Sequence, residues 1–173
     1  ALAIIWGHIS KTSIPYPQRM ALRFLFTSFA DRNATKRNRF VINEHNPQGR
    51  VNGPMANALY LPNLFCEMNI FRLMNDKFKD IESAFPSVPL KQKSTLISTG
   101  SSSNIEGITS NSIDYIFTDP PFGHNIQYSE LNITLESFLG VRTDGQNDTV
   151  VNDAVGKPMT VYAEMMLRNL KEY

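Results

Sequence analysis

The sequence predicts an α/β fold in which a mainly helical, basic first part precedes a region built on short strands. Three observations carry this. Leu64, Met68, Phe71, Met74, Phe78, Ile81 and Phe85 recur at helical spacing and form one continuous apolar stripe. Ser112-Ile-Asp-Tyr-Ile-Phe-Thr118 reads as a β-strand entered through the turn-like Ser110-Asn111. Residues 127–139 return to helical spacing, with Leu131, Leu135, Phe138 and Leu139 on one side.

The elements follow in order. Residues 1–10 read as the end of a helix, which Pro15 and Pro17 break. Gln18 to about Arg32 reads as a second helix with a broad apolar side of Met20, Leu22, Leu25, Phe26 and Phe29. Residues 31–39 are polar and basic. The density of Asn, Pro and Gly over 43–57 predicts a long loop, and Ala58–Leu61 a short strand. The Met/Phe stripe is expected to be core, ended by Pro86 and Pro89. Thr95-Leu-Ile-Ser-Thr99 is a short strand candidate, followed by Gly100 and three serines. Residues 141–157 predict a polar loop, and Pro158 suits the first position of a last helix. The expected division is a helical basic insert over 1–93 and a catalytic region over 94–173.

At 173 residues and 42% hydrophobic content, the chain is long and apolar enough for one cored domain, with or without an appendage. No apolar run approaches the roughly 18 residues of a membrane span, so no membrane partner is expected. The start, Ala1–Trp6, is short, lacks a basic leader and has no initiator Met. An internal piece of a longer chain, or a processed end, is the expectation. Cys66 is the only cysteine, which excludes an intrachain disulfide and a multi-cysteine metal site and favours a reducing cytoplasm. The sequons at Asn33, Asn132 and Asn147 are then chance matches. His8, His45 and His124 show no ligand spacing, and no metal is expected.

The net charge of +1 hides an asymmetry. Residues 1–60 hold eight Lys/Arg against two Asp/Glu, a net of +6, whereas residues 101–173 hold four against ten, a net of −6. The first third is thus a candidate to face something anionic. Its densest cluster is Arg32, Lys36, Arg37 and Arg39, beside Phe40, and these are the candidate phosphate contacts for DNA.

One segment carries chemistry: Ile113-Asp-Tyr-Ile-Phe-Thr-Asp119-Pro120-Pro121-Phe122-Gly123. A hydrophobic strand ending in Asp-Pro-Pro-aromatic resembles the catalytic motif of S-adenosyl-L-methionine-dependent amino-methyltransferases. The longer stretch Thr118-Asp-Pro-Pro-Phe-Gly-His-Asn-Ile-Gln-Tyr-Ser-Glu-Leu-Asn132 is similar to a group of bacterial DNA methylases specific for adenine. Ala21–Phe29, Ala34–Phe40 and Ala58–Pro62 resemble that group's insert.

The resemblance implies a partial Rossmann-like class I methyltransferase sheet behind the helical insert. It also implies methyl transfer to the N6 amine of adenine in DNA, with N4 of cytosine the nearest variant. Two alternatives stand beside it: methylation of the N2 amine of guanine in RNA, and a catalytically inactive nucleic-acid-binding fragment. The implied partners are DNA, the remainder of the methyltransferase chain, and a restriction-modification or other defence partner.

The residues make chemical sense of that implication. The lone pair of an exocyclic amine is delocalised into the ring, so the nitrogen must be held as it pyramidalises. The Asp119 carboxylate can accept one N–H and the Pro120 carbonyl the other. Pro120 and Pro121 fix φ near −65° and remove competing donors. Phe122 offers a face on which a base taken out of the stack can lie, where relatives more often carry Tyr. Gly123, His124, Asn125 and Tyr128 are candidates to border that pocket.

In relatives, the strand and glycine ahead of the catalytic strand approach the cofactor, which makes Gly100, Ser101 and Ser102 the cofactor candidates. Ser101 stands where relatives have an acidic residue, and Thr134, Leu135 and Phe138 stand where some carry Trp. The Gly-rich cofactor turn of the family does not occur in these 173 residues. The chain by itself is therefore expected to be inactive and to bind S-adenosyl-L-methionine weakly.

Overall fold

The protein is described by a computed structural model covering residues 1–31, 34–88, 95–124 and 126–173. Among these residues it is a mixed α/β structure of five α-helices and one two-stranded antiparallel sheet. It divides into two units, residues 1–90 with 130–143, and residues 91–129 with 144–173. The expected boundary at 93/94 lies outside the described residues.

In the first unit, α1 (Leu2–Lys11) ends where the Thr12 side chain and N–H both bond the His8 carbonyl, at 2.6 and 2.9 Å. Pro15 precedes α2 (Tyr16–Ala30) as its N-cap, and Pro17 sits in the first turn, where no N–H is missed. Helix α2 packs against α1 and against α3 (Ile70–Ala84). The core is Ile9, Phe26, Phe29 and Ala30, covered by Trp6, Leu73, Met74, Leu135 and Phe138 among others. The Phe26 ring lies 5.0 Å from both Trp6 and Phe138, tilted 48° and 72°, the offset geometry that aromatic quadrupoles favour. Leu135 and Phe138 come from α4 (Tyr128–Leu139).

Residues 43–57, expected to be a loop, contain a strand. β1 (Arg39–Asn43) and β2 (Asn46–Asn52) form a hairpin with Phe40 opposite Val51 and an irregularity between Val41 and Asn43. The Asn43 side chain accepts from the Asn46 N–H at 2.9 Å, which closes the turn. Gly49 has φ +78, and any Cβ there would collide with the Phe40 ring. The turn-forming composition thus marks a tight hairpin rather than a loop. Residues 58–61, expected as a strand, are irregular. The fully buried Asn38 clips the following segment to β1, accepting from the Cys66 N–H at 2.8 Å and donating to its carbonyl at 2.7 Å.

The Met/Phe stripe is not core along its whole length. Leu64 and Met68 precede α3, which starts after Asn69, whose side chain caps the Arg72 N–H at 3.1 Å. The helix packs through Ile70, Leu73 and Met74, while Phe71 is 69% exposed and Phe78 and Phe85 are also exposed. Its apolar arc is wider than the surface it meets, and the packed side is rotated away from the phenylalanines.

In the second unit, residues 95–99 and 112–118 form no strand among the described residues. Leu96, Ile97, Tyr115 and Phe117 are exposed, Phe117 by 84%. A strand exists only through ladder bonds to a neighbour, and none is made here. What orders this unit is the segment from 144 onward. Val150 and Val151 are buried, and Lys157, 3% exposed, donates to the carbonyls of Gly145 and Asp148. A short 3₁₀ turn (Asp153–Val155) leads to α5 (Met159–Glu172), for which Pro158 is the N-cap rather than the first helical residue. No helix among the described residues is long and apolar enough to cross a membrane.

Candidate active site

The turn Asp119–Gly123 is fixed by its backbone. Gly123 is buried at φ +57, a conformation that suits glycine, and its carbonyl accepts the Val151 N–H at 3.0 Å. The Pro121 carbonyl accepts from the Tyr162 hydroxyl at 2.8 Å. Gln127 braces the same segment, donating to the Val151 carbonyl and accepting from the Asn152 amide, both at 2.9 Å. Among the described residues nothing bonds the Asp119 carboxylate or the Pro120 carbonyl.

A cavity of about 610 Å³ adjoins this turn. It brings together two segments singled out separately in the sequence: Gly100, Ser101 and Ser102 on one side, Asp119, Pro120 and Pro121 on the other. The remaining wall is Ser103, Thr118 and Asn147–Thr149, with Met165, Met166, Arg168, Asn169, Leu170 and Tyr173 from the last helix and chain end. The Ser101 and Ser103 hydroxyls lie 2.8 Å apart, and the Asn169 amide donates to the Thr149 hydroxyl at 3.2 Å.

The volume falls within the roughly 300–1,000 Å³ of small-molecule sites. Hydroxyl and amide groups suit a ribose, and the methionine side chains suit a purine face. A cavity of this size and lining can take a small polar ligand with an apolar face.

Phe122 is not part of the cavity wall. Its ring is 69% exposed, which leaves a face free for stacking. Gly123 acts through its backbone. His124 is exposed, with Nε2 3.7 Å from the Asp153 carboxylate, and Tyr128 stands at the surface where α4 begins. Neither lines the cavity. Asn125 lies outside the described residues.

The described members of the basic cluster differ in exposure. Arg37 is 5% exposed, with its guanidinium 2.5 Å from Asp31 and bonded to the Ala58 carbonyl at 3.4 Å. Arg39 is half-buried and donates to the Gly53 carbonyl at 3.2 Å. Lys36 is exposed, its ammonium 5.1 Å from the Phe65 ring centroid. Arg32 lies outside the described residues.

Sequence reasoning missed the α5 wall. Its signal is present: Tyr162, Met165, Met166 and Asn169 are spaced i, i+3, i+4 and i+7, one helix face. No family model, curated protein or solved structure matches the chain.

Proposed function

We propose that the chain carries the catalytic turn of an S-adenosyl-L-methionine-dependent DNA methyltransferase acting on the N6 amine of adenine. The supporting observation is the shared cavity. Gly100–Ser102 and Asp119–Pro121 are unremarkable apart, yet they line one space of small-molecule size beside a carboxylate and a carbonyl that nothing among the described residues bonds.

In this proposal Gly100, Ser101, Ser102 and the methionine side of α5 would hold the cofactor. When bound, the cofactor supplies a methyl group on a positively charged sulfonium. The chain's own residues do the rest. The Asp119 carboxylate accepts one N–H of the amine and the Pro120 carbonyl the other, which directs the nitrogen lone pair out of the ring system. Phe122 stacks on the extruded base. Residues 95–99 and 112–118 complete a Rossmann-like sheet by pairing with the remainder of the methyltransferase chain. A cytoplasmic location and a restriction or defence partner belong to the same proposal.

The test is transfer of a radiolabelled methyl group to unmethylated duplex DNA and to structured RNA by the full-length protein, with the labelled nucleoside identified chromatographically. N6-methyladenine from DNA is the expected product. N4-methylcytosine moves the substrate to cytosine, and N2-methylguanine from RNA moves it to the guanine alternative. No labelled product from any substrate leaves a binding role only.

A further inference from the structure

We infer that Tyr162 is a positioning residue for the Asp119–Phe122 turn, selecting which carbonyl of that turn receives the substrate amine; this rests on the methyl-transfer function proposed above. Pro120 and Pro121 have φ locked by their rings and ω held planar, so ψ is the soft backbone angle left to each. The Tyr162 hydroxyl, 2.8 Å from the Pro121 carbonyl oxygen, fixes that peptide plane. The Val151 N–H, 3.0 Å from the Gly123 carbonyl oxygen, fixes the chain two residues on. Between these anchors only the Phe122 ring projects into water.

The same bond biases the choice of acceptor, since it occupies one lone pair of the Pro121 oxygen and orients that carbonyl toward α5. Pro120 and Pro121 present successive carbonyls, and an amine could pair with either. The Pro121 oxygen is engaged by a phenol, while the Pro120 oxygen has no partner among the described residues. Of the two proline carbonyls, an N–H donor arriving beside Asp119 therefore meets that of Pro120 with no partner among the described residues. Tyr162 is half-buried on the α5 face that also carries Met165, Met166 and Asn169, so the helix that walls the cavity also aims the turn.

The test is Tyr162→Phe in the full-length protein, which keeps the ring and removes only the hydroxyl. Two readouts are taken: steady-state methyl transfer, and the carbonyl resonances of ¹³C-labelled prolines without cofactor or DNA. Expected are a fall in kcat of about tenfold or more with KM for DNA and cofactor within about twofold, tenfold being about 1.4 kcal/mol of barrier. The Pro121 carbonyl resonance should shift. Tyr162→His, which restores an N–H donor, should recover part of the loss and covers the case of a Phe variant that fails to fold. Val161→Ala, a change of packing on α5 outside the cavity wall, should not reproduce the split.

An active wild type with an unchanged Tyr162→Phe kcat overturns the role and leaves the function standing. A loss shared equally by kcat, KM and melting temperature also overturns it, as a folding contribution. If the wild type methylates nothing, the function falls and the role falls with it. The proline resonance still reports the bond itself in that case, so the two failures stay separate.

Discussion

Arg37 places a guanidinium nitrogen 2.5 Å from a carboxylate oxygen of Asp31, across the turn that follows α2. The arginine side chain is 6% exposed and the aspartate 27%. The attraction is therefore poorly screened, and removing one partner strands a buried charge. Asp31→Ala should destabilise the protein by about 3 kcal/mol, the low end for broken buried pairs because Asp31 keeps some water. Chemical denaturation followed by the fluorescence of Trp6, the only tryptophan, measures it. A loss under about 0.5 kcal/mol would place the pair with ordinary surface substitutions instead.

That pair also changes how the basic segment should respond to DNA. Lys36 is free to meet a phosphate, and Arg39 is partly free, whereas Arg37 is spent inside. Lys36→Ala should flatten the log K against log salt slope by roughly 0.9 without changing target choice. Arg37→Ala should lower stability without that effect on the slope. A salt titration of duplex binding by the full-length protein separates the two, and an unchanged slope for Lys36→Ala refutes a DNA-facing role.

The aromatic contact of Phe26 with Trp6 and Phe138 joins residues far apart in sequence. Phe26→Ala should cost about 3–5 kcal/mol, through lost transfer energy and the cavity left behind. Tryptophan fluorescence should report the same loss as far-ultraviolet dichroism. If Trp6 emission shifts while helicity and midpoint stay at wild type, the core does not centre on Phe26.

Glu136 gives a pH handle in the first unit. Its carboxylate accepts from the Thr143 hydroxyl, the larger cause, and from the Thr143 N–H at 2.9 Å, with Arg142 adding a smaller coulombic pull; together they hold its pKa below the usual glutamate range. A lowered folded-state pKa means that the unfolded chain takes up the proton first. The contribution is present in full above the ordinary glutamate pKa of about 4.3 and fades as pH falls through the lower folded value. Thr143→Val should lower the melting temperature at pH 7 and narrow its gap to wild type below about pH 4. A gap that stays constant across that range argues against the linkage.

What the sequence made legible follows the range of the interactions. Helices α1 to α5 were readable because their periodicity and prolines act within a few residues, as Pro15 and Pro17 do at the head of α2, although the apolar stripe began six residues ahead of α3. The hairpin was hidden because Asn43, Pro47 and Gly49 signal turns, and its register depends on Phe40 fitting over Gly49. The burial of Arg37 was hidden because its partners, Asp31 and the Ala58 carbonyl, are set by tertiary packing. Of the candidate site, the Asp-Pro-Pro-Phe turn was legible as local chemistry. The Tyr162 contact spans 41 residues and could be found only in three dimensions.

Asp119 permits a clean separation of function from stability. The residue is exposed, and among the described residues its carboxylate makes no hydrogen bond or ion pair. A side chain that supports nothing in the fold can be removed at little cost, so Asp119→Ala should keep the melting curve within about 0.5 kcal/mol of wild type. The proposed chemistry asks much more of the same group. Orienting the amine and accepting its N–H act on the reacting atom itself, where positioning and hydrogen bonding are typically worth several kcal/mol of barrier. Methyl transfer by the full-length protein should therefore fall at least about a hundredfold, in kcat rather than in KM for DNA, because phosphate contacts elsewhere hold the duplex. Asp119→Asn should recover little, since its amide can turn a donor toward the amine. Activity within about tenfold of wild type, or about 1.4 kcal/mol, would show that the carboxylate does not touch the reacting nitrogen. A large loss of stability would show instead that it supports the fold.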